Sequence, residues 1–276
     1  MSIIDWLNYA YCRLSYIGYL KIDAELILKF VLKRSKIWLI INHKLKLNIL
    51  QLNQLNQLLN RRISGEPIAY LLRKKEFWSL SLCISKFVLI PRTDTEILVE
   101  QSLKRITHVN FKILDLGTGS GAIALAIAKT RPDCHILGID CLKESVELAT
   151  FNAKKLNLNN INFIRSNWFS ELNNKKFNII VSNPPYIGLQ EISLLDKDIF
   201  FEPFISLVSG NDGLADIQFI VKNANKYLYS QGYLLIEHSY RQKNVVQNIF
   251  KSHGFLGVKS YKDYSGNDRI TLGKKI

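Results

Sequence analysis

Asn183-Pro184-Pro185-Tyr186 is the stretch whose residue types define a chemistry most narrowly. It follows an apolar run, Phe177-Asn178-Ile179-Ile180-Val181-Ser182, that reads as a strand. Two consecutive prolines cannot continue a hydrogen-bonded ladder and they stiffen the backbone, so groups at this exit are held in one geometry. The side-chain oxygen of Asn183 and the carbonyl of Pro184 can accept two hydrogen bonds from a single NH₂ group. Tyr186 offers a flat face for the conjugated system that carries that group. An amide nitrogen is a poor nucleophile because its lone pair is delocalised into the carbonyl. Gripping both hydrogens favours a pyramidal nitrogen whose lone pair can attack a sulfonium methyl, and such a site fits the displacement transition state better than the ground state. No strong general base is required, because the nitrogen sheds a proton readily once it is cationic. His43, His108, His135, His238 and His253 are accordingly read as structural, with His238 the least secure because Glu237-His238 ends an apolar strand near the expected crevice.

A second constellation concerns the methyl donor. The strand Lys112–Leu116 runs into Gly117-Thr118-Gly119-Ser120-Gly121 and then into the helical stretch 122–129. Glycines between a strand and a helix let the backbone approach a ligand where a side chain would collide with it. The next strand ends in Asp140, a carboxylate placed to accept hydrogen bonds from both hydroxyls of a ribose. Together they indicate an adenosine-containing cofactor. Gly117-x-Gly119-x-x-Ala122 also fits a variant dinucleotide fingerprint, and Asp140 could equally cap a helix. Trp168, just past the third strand, could cover an adenine ring or pack in the core. The Asn-Pro-Pro-Tyr corner at the end of the fourth strand is what favours methyl transfer over nicotinamide chemistry.

These residues need a scaffold that brings strand ends together. From Phe111 onward, candidate strands Lys112–Leu116, His135–Asp140, Asn162–Arg165, Asn178–Ser182, Gly232–Glu237, Gly257–Tyr261 and Arg269–Gly273 mostly alternate with helical patterns. That alternation predicts an α/β fold, a doubly wound and mostly parallel sheet with helices on both faces and the ligand crevice at the carboxyl ends of the strands. Residues 1–72 show no strand alternation and read as a small all-helical domain. Its clearest element is Leu45–Arg62, ended by Ser64-Gly65-Glu66-Pro67, with a solvated Asn/Gln face. Between them, 73–110 reads as a linker, with a hairpin in Phe77–Ile90 and a helix around Thr95–Lys104 after Pro91. The catalytic domain is assigned to 111–276.

Bulk composition narrows the setting. A chain of 276 residues, 47% hydrophobic, can bury a sizeable core in two units without staples. Cys12, Cys83, Cys134 and Cys141 form no C-x-x-C pair and no metal-ligand spacing, so neither zinc nor disulfides are expected and no metal cofactor is assigned. No apolar stretch near the start is long enough for a signal region or a membrane span, so a cytoplasmic protein without membrane partners is expected. The net charge of +14 would suggest a nucleic-acid partner, but the Lys-, Asn- and Ile-rich composition is also what an AT-rich coding bias produces.

The residues also resemble one family, the protein-(glutamine-N5) methyltransferases that modify class I peptide chain release factors. The resemblance rests on Gly65-Glu66-Pro67-Ile68-Ala69-Tyr70, Glu76-Phe77-Trp78, Leu89-Ile90-Pro91-Arg92, Asp94-Thr95-Glu96, Ile113–Gly121, Asn183–Ile187 and Phe201-Glu202-Pro203. It implies a helical N-terminal domain joined through a hairpin to a class I, Rossmann-like methyltransferase domain with a seven-stranded sheet whose last strand is antiparallel. It also implies S-adenosylmethionine at Gly117, Thr118, Gly119, Ser120, Gly121, Asp140, Trp168 and Asn183. Asn183, Pro184, Pro185 and Tyr186 would hold the glutamine of a Gly-Gly-Gln motif, and the N-terminal domain would help grip the release factor. The alternative is an adenine-N6 DNA or guanine-N2 rRNA methyltransferase, which share Asn-Pro-Pro-Tyr, but no segment reads as an inserted nucleic-acid module. Thr93 and Phe200 depart from the residues usual in the family, a proline and an arginine, at positions remote from the proposed chemistry.

Overall fold

A computed structural model describes residues 1–195 and 197–276. The chain divides into two compact units, Met1–Lys74 with Lys197–Phe201, and Lys75–Asp196 with Glu202–Ile276.

The first unit is helical: α1 (Ile3–Tyr16), α2 (Lys21–Leu32), α3 (Lys36–Ile41), α4 (Ile49–Ile63) and α5 (Ile68–Leu72). Capping boxes define two starts. The Ser2 hydroxyl and Asp5 carboxylate close the first turn of α1, and Asn48 and Gln51 do the same for α4. The second box explains why α4 begins at Ile49 rather than at Leu45, which is exposed. Ile3, Trp6, Ala10 and Leu14 recur at helical spacing and pack with Ile27 and Leu28 of α2 and Leu55 and Leu59 of α4. Trp6 is fully buried, and its Nε1 donates to Asn56 Oδ1 at 2.9 Å. A charged cluster also lies inside this unit. Arg62 Nε donates to Asp23 Oδ2 at 2.7 Å, its Nη1 reaches Asp198 Oδ2 at 3.0 Å, and its guanidinium lies 3.6 Å from the centroid of the Tyr19 ring. Tyr19 Oη donates to Asp198 at 2.6 Å, so residues 197–201 are tied to the helices by the same cluster.

The second unit begins with the two-stranded hairpin of β1 (Lys74–Phe77) and β2 (Leu80–Cys83). Trp78 and Ser79 turn it with φ of 50° and 57°, the left-handed pair of a tight two-residue hairpin. The hairpin therefore lies earlier than Phe77–Ile90. Residues 84–90 form no strand, and the Ile90 N–H goes instead to Glu202 Oε2 at 2.9 Å. After a short 3₁₀ turn, Thr93–Thr95, the chain continues through α6 (Glu96–Leu103), β3 (Lys112–Leu116), α7 (Ala122–Thr130), β4 (His135–Asp140) and α8 (Lys143–Lys155). Then follow β5 (Ile161–Arg165), β6 (Phe177–Ser182), α9 (Ala215–Tyr227), β7 (Leu228–Glu237), α10 (Lys243–Ser252), β8 (Leu256–Lys262) and β9 (Asp268–Lys274).

The seven large strands form one sheet in the order β5-β4-β3-β6-β7-β9-β8, with β9 antiparallel to both neighbours. The expected doubly wound, mostly parallel sheet with an antiparallel last strand is what the chain forms. Strand order reverses between β3 and β6, and Leu116 pairs with Ser182, so the glycine loop and the proline corner leave the sheet side by side. The Ser182 hydroxyl fixes that register by donating to the Leu116 carbonyl at 2.8 Å. All of Ala122–Ala128 in α7 is buried, and four alanines let this helix lie close on the sheet.

Candidate active site

The loop after β3 puts Gly117, Gly119 and Gly121 all at positive φ, 71°, 55° and 84°, a backbone that L side chains rarely adopt. The turn is tied down by Thr118, whose hydroxyl donates to Asp115 Oδ2 at 2.6 Å and whose N–H donates to the Ile139 carbonyl at 2.8 Å. Asp115 is fully buried, and burial pushes its carboxyl up to about 7. At the end of β4, Asp140 Oδ2 accepts from the Gly119 N–H at 2.9 Å and Oδ1 from the Leu142 N–H at 3.0 Å. α8 is capped at Leu142, so Asp140 is not that helix's N-cap. Burial raises the Asp140 carboxyl above its usual range, with the two backbone donors pulling the other way.

Gly117, Thr118, Gly119, Ser120, Asp140, Trp168, Asn183 and Pro185 line one cavity of about 270 Å³ together with Pro91, Thr95 and Ile205. The wall above Gly119 is open, since a Cβ built there would meet nothing within 4 Å. Trp168 lines the cavity and also packs against the hydrophobic core, so both readings of this aromatic describe parts of its surface.

Three residues of the sequence reading do not line the cavity. Gly121 is the N-cap of α7, and a Cβ there would press on Leu125 at 2.9 Å and Phe163 at 3.1 Å, so its glycine serves close helix packing. Pro184 is buried. Tyr186 is half-buried and packs against the core, and its hydroxyl donates to Glu237 Oε1 at 3.3 Å. Burial and the facing carboxylate raise the Tyr186 phenol well above its ordinary value.

Asn183 carries the distinctive feature. Its Nδ2 donates to Thr95 Oγ1 at 3.2 Å, while its Oδ1 is buried with no hydrogen-bond partner among the described residues. A buried acceptor left unpaired is costly and is the expected state of a group that meets a donor on a ligand. Thr95 and Glu237 were not singled out as site residues in the sequence. Glu237 is 1% exposed at the end of β7, its Oε2 has no hydrogen-bond partner among the described residues, and burial pushes its carboxyl up to about 7 while Thr95 and Arg269 favour the charged form. An acid on an otherwise apolar strand was the signal that could have found it. His238, by contrast, engages both ring nitrogens, with the Ser239 carbonyl at 2.9 Å and Thr271 Oγ1 at 2.8 Å, and is structural. Two sequence motifs meet at the cavity edge, where Glu202 binds the Ile90 N–H and pairs with Arg92 on either side of Pro91.

A glycine loop, an acid at the second strand end and Asn-Pro-Pro-Tyr at the fourth define a methyltransferase of the doubly wound class. A family profile described as a methyltransferase domain matches residues 107–264, and one described as the PrmC N-terminal domain matches residues 5–72. The release factor glutamine methyltransferase of Buchnera aphidicola subsp. Schizaphis graminum is 51% identical over 275 residues, covering 100% of both chains. That of Escherichia coli K12 is 44% identical over 274 residues, covering 99% of each. Among solved structures, a methyltransferase from Pyrococcus furiosus superimposes with a TM-score of 0.55 at 19% identity, covering 78% of this chain and 96% of its own. The chain belongs to the release factor glutamine methyltransferase family.

Proposed function

We propose that this chain transfers a methyl group to the side-chain nitrogen, N5, of the glutamine in the Gly-Gly-Gln motif of class I peptide chain release factors, with S-adenosylmethionine as donor. Full-length similarity to relatives of that name sets the substrate class. The observation that carries the chemistry is the buried Oδ1 of Asn183, unpaired among the described residues, on a residue that lines the same cavity as Gly117–Ser120 and Asp140.

The donor site suits the chemistry of these side chains. Asp140 spends one oxygen on each of two backbone donors, and each oxygen keeps a lone pair for a ribose hydroxyl, which would also offset the burial of its charge. Gly117, Thr118, Gly119 and Ser120 line the cavity beside it, and Trp168 supplies an apolar face for a base. S-adenosylmethionine, when bound, supplies an electrophilic methyl on a sulfonium. Asn183 Oδ1 accepts one hydrogen of the substrate NH₂, and the backbone carbonyl of Pro184, whose ring is buried and does not line the cavity, is the acceptor for the other. The lone pair is thereby turned out of conjugation, and the growing positive charge on nitrogen strengthens both hydrogen bonds in the transition state. The departing proton leaves from a cationic nitrogen and needs no dedicated base.

Residues 1–72 serve in this reading as the domain that helps grip the release factor, 73–110 as the connection and 111–276 as the catalytic domain, and the reaction is placed in the cytoplasm. Among the described residues no helix is long and apolar enough to cross a membrane. The direct test is to incubate the protein with labelled S-adenosylmethionine in the presence of a release factor, DNA and rRNA together. Label should enter the release factor, and label entering only nucleic acid would contradict the assignment and favour a base methyltransferase.

A further inference from the structure

An asparagine amide is nearly symmetric in shape and opposite in chemistry at its two ends. In one orientation Asn183 presents a carbonyl oxygen to the cavity and can accept from a substrate NH₂. Rotated half a turn about χ2 it presents its own NH₂, and two donors then oppose each other. Catalysis by this residue therefore requires a device that fixes the rotation.

Thr95 has the position for that task. It closes the Thr93–Thr95 turn before α6, is 3% exposed, and lines the same cavity. Its Oγ1 accepts from Asn183 Nδ2 at 3.2 Å, the hydrogen bond that leaves Oδ1 free. Its neighbours hold the turn still. Asp94 pairs with Arg269 at 3.3 Å, Glu96 Oε1 accepts from the Trp78 N–H at 2.9 Å, and the Thr95 N–H donates to the Arg92 carbonyl at 3.1 Å. The Thr95 side chain also favours the charged form of the buried Glu237. At the other end of the Asn-Pro-Pro-Tyr corner the Tyr186 hydroxyl donates to Glu237 Oε1 at 3.3 Å.

We infer that Thr95 is a positioning residue that fixes the rotation of the Asn183 amide so that its oxygen, not its nitrogen, meets the methyl-accepting amide. The inference rests on the proposed role of Asn183 as acceptor for the substrate NH₂. The test is steady-state kinetics of release-factor methylation for Thr95→Val, Thr95→Ser, Asn183→Ala and the Thr95→Val/Asn183→Ala double variant, with donor binding followed by calorimetry. Thr95→Val, which keeps the shape and removes the acceptor, should lower kcat about five- to tenfold, the worth of one neutral hydrogen bond. KM for both substrates and donor affinity should stay within about twofold, since the lost interaction acts on orientation. Thr95→Ser should restore kcat, and the double variant should be no slower than Asn183→Ala alone, because an unfixed amide matters only while it is present. Should the valine disturb folding, Thr95→Ala removes the same acceptor without adding bulk. Wild-type kcat in Thr95→Val, a serine as harmful as valine, or losses that multiply in the double variant would overturn the inference. Wild-type kcat in Asn183→Ala would instead overturn the reading of Asn183 itself.

Discussion

Raising the pH from roughly 5 to 8 should destabilise the methyltransferase unit, and the groups responsible can be named. Asp115 and Glu237 are 0% and 1% exposed, and each has one carboxyl oxygen without a hydrogen-bond partner among the described residues. Burial lifts both carboxyls to about 7, from ordinary values of 3.8 and 4.5. Between the two values each group is protonated in the folded chain and ionised in the unfolded one. The folded state therefore holds more protons, its advantage is fully present below the unfolded value, and it is lost as pH rises through the folded value. At about 1.4 kcal/mol per pH unit, the spans correspond to ~4 kcal/mol for Asp115 and ~3 kcal/mol for Glu237. His238 acts in the opposite sense, because burial lowers it and its neutral form is gained as pH rises toward 6.5. The lowered carboxylates, among them Glu25 and Asp263, complete their contribution below about pH 5 and leave the window to the raised ones. Urea unfolding at pH steps, followed by far-ultraviolet circular dichroism, should show a net loss of several kcal/mol over this range. Glu237→Gln should flatten the profile by about 3 kcal/mol. A profile that is level or rises with pH would refute the burial argument for both acids.

Asn183→Ala should lower kcat by about ten- to a hundredfold, the worth of a charge-assisted hydrogen bond made in the transition state, and leave KM for the release factor little changed. Arg62→Met leaves Asp23 buried without its cation, and chemical denaturation should register a loss of about 3–5 kcal/mol in the helical unit. Much of that loss should return when Asp23→Asn is added. Gly213→Ala places a Cβ 2.2 Å from the Tyr186 carbonyl at a φ of +76°, so it should lower stability by roughly 1–3 kcal/mol and reduce kcat by shifting the corner. Thermal melting and turnover of that variant check both effects.

The sheet was legible because its strands are short apolar runs separated by helical periodicity, and Lys112–Leu116 and His135–Asp140 have the boundaries expected of them. The site was legible where chemistry and backbone coincide in adjacent residues, as in the glycine loop and Asn183-Pro184. It was less legible where a role depends on what lies across the fold. Tyr186 reads as a stacking surface in sequence, and nothing local shows that its ring also packs against the core or that its hydroxyl reaches Glu237, 51 residues away in the chain. Thr95 is 88 residues from Asn183, and nothing local marks it as the partner of that amide. The cluster of Arg62, Asp23, Tyr19 and Asp198 is hidden for the same reason, since 136 residues separate Arg62 from Asp198. The hairpin was placed late because Phe87 and Val88 have strand composition, while the turn is made by Trp78-Ser79 at positive φ, which neither residue type announces.

The most direct test of the central claim is mass spectrometry of the release-factor peptide that contains the Gly-Gly-Gln glutamine, after incubation with S-adenosylmethionine and this protein. Wild-type protein should add the mass of one methyl group, with fragmentation placing it on the glutamine side chain, and Asn183→Ala should add it much more slowly. An unmodified glutamine under conditions where the donor is bound, or a methyl group on another residue, would contradict the account.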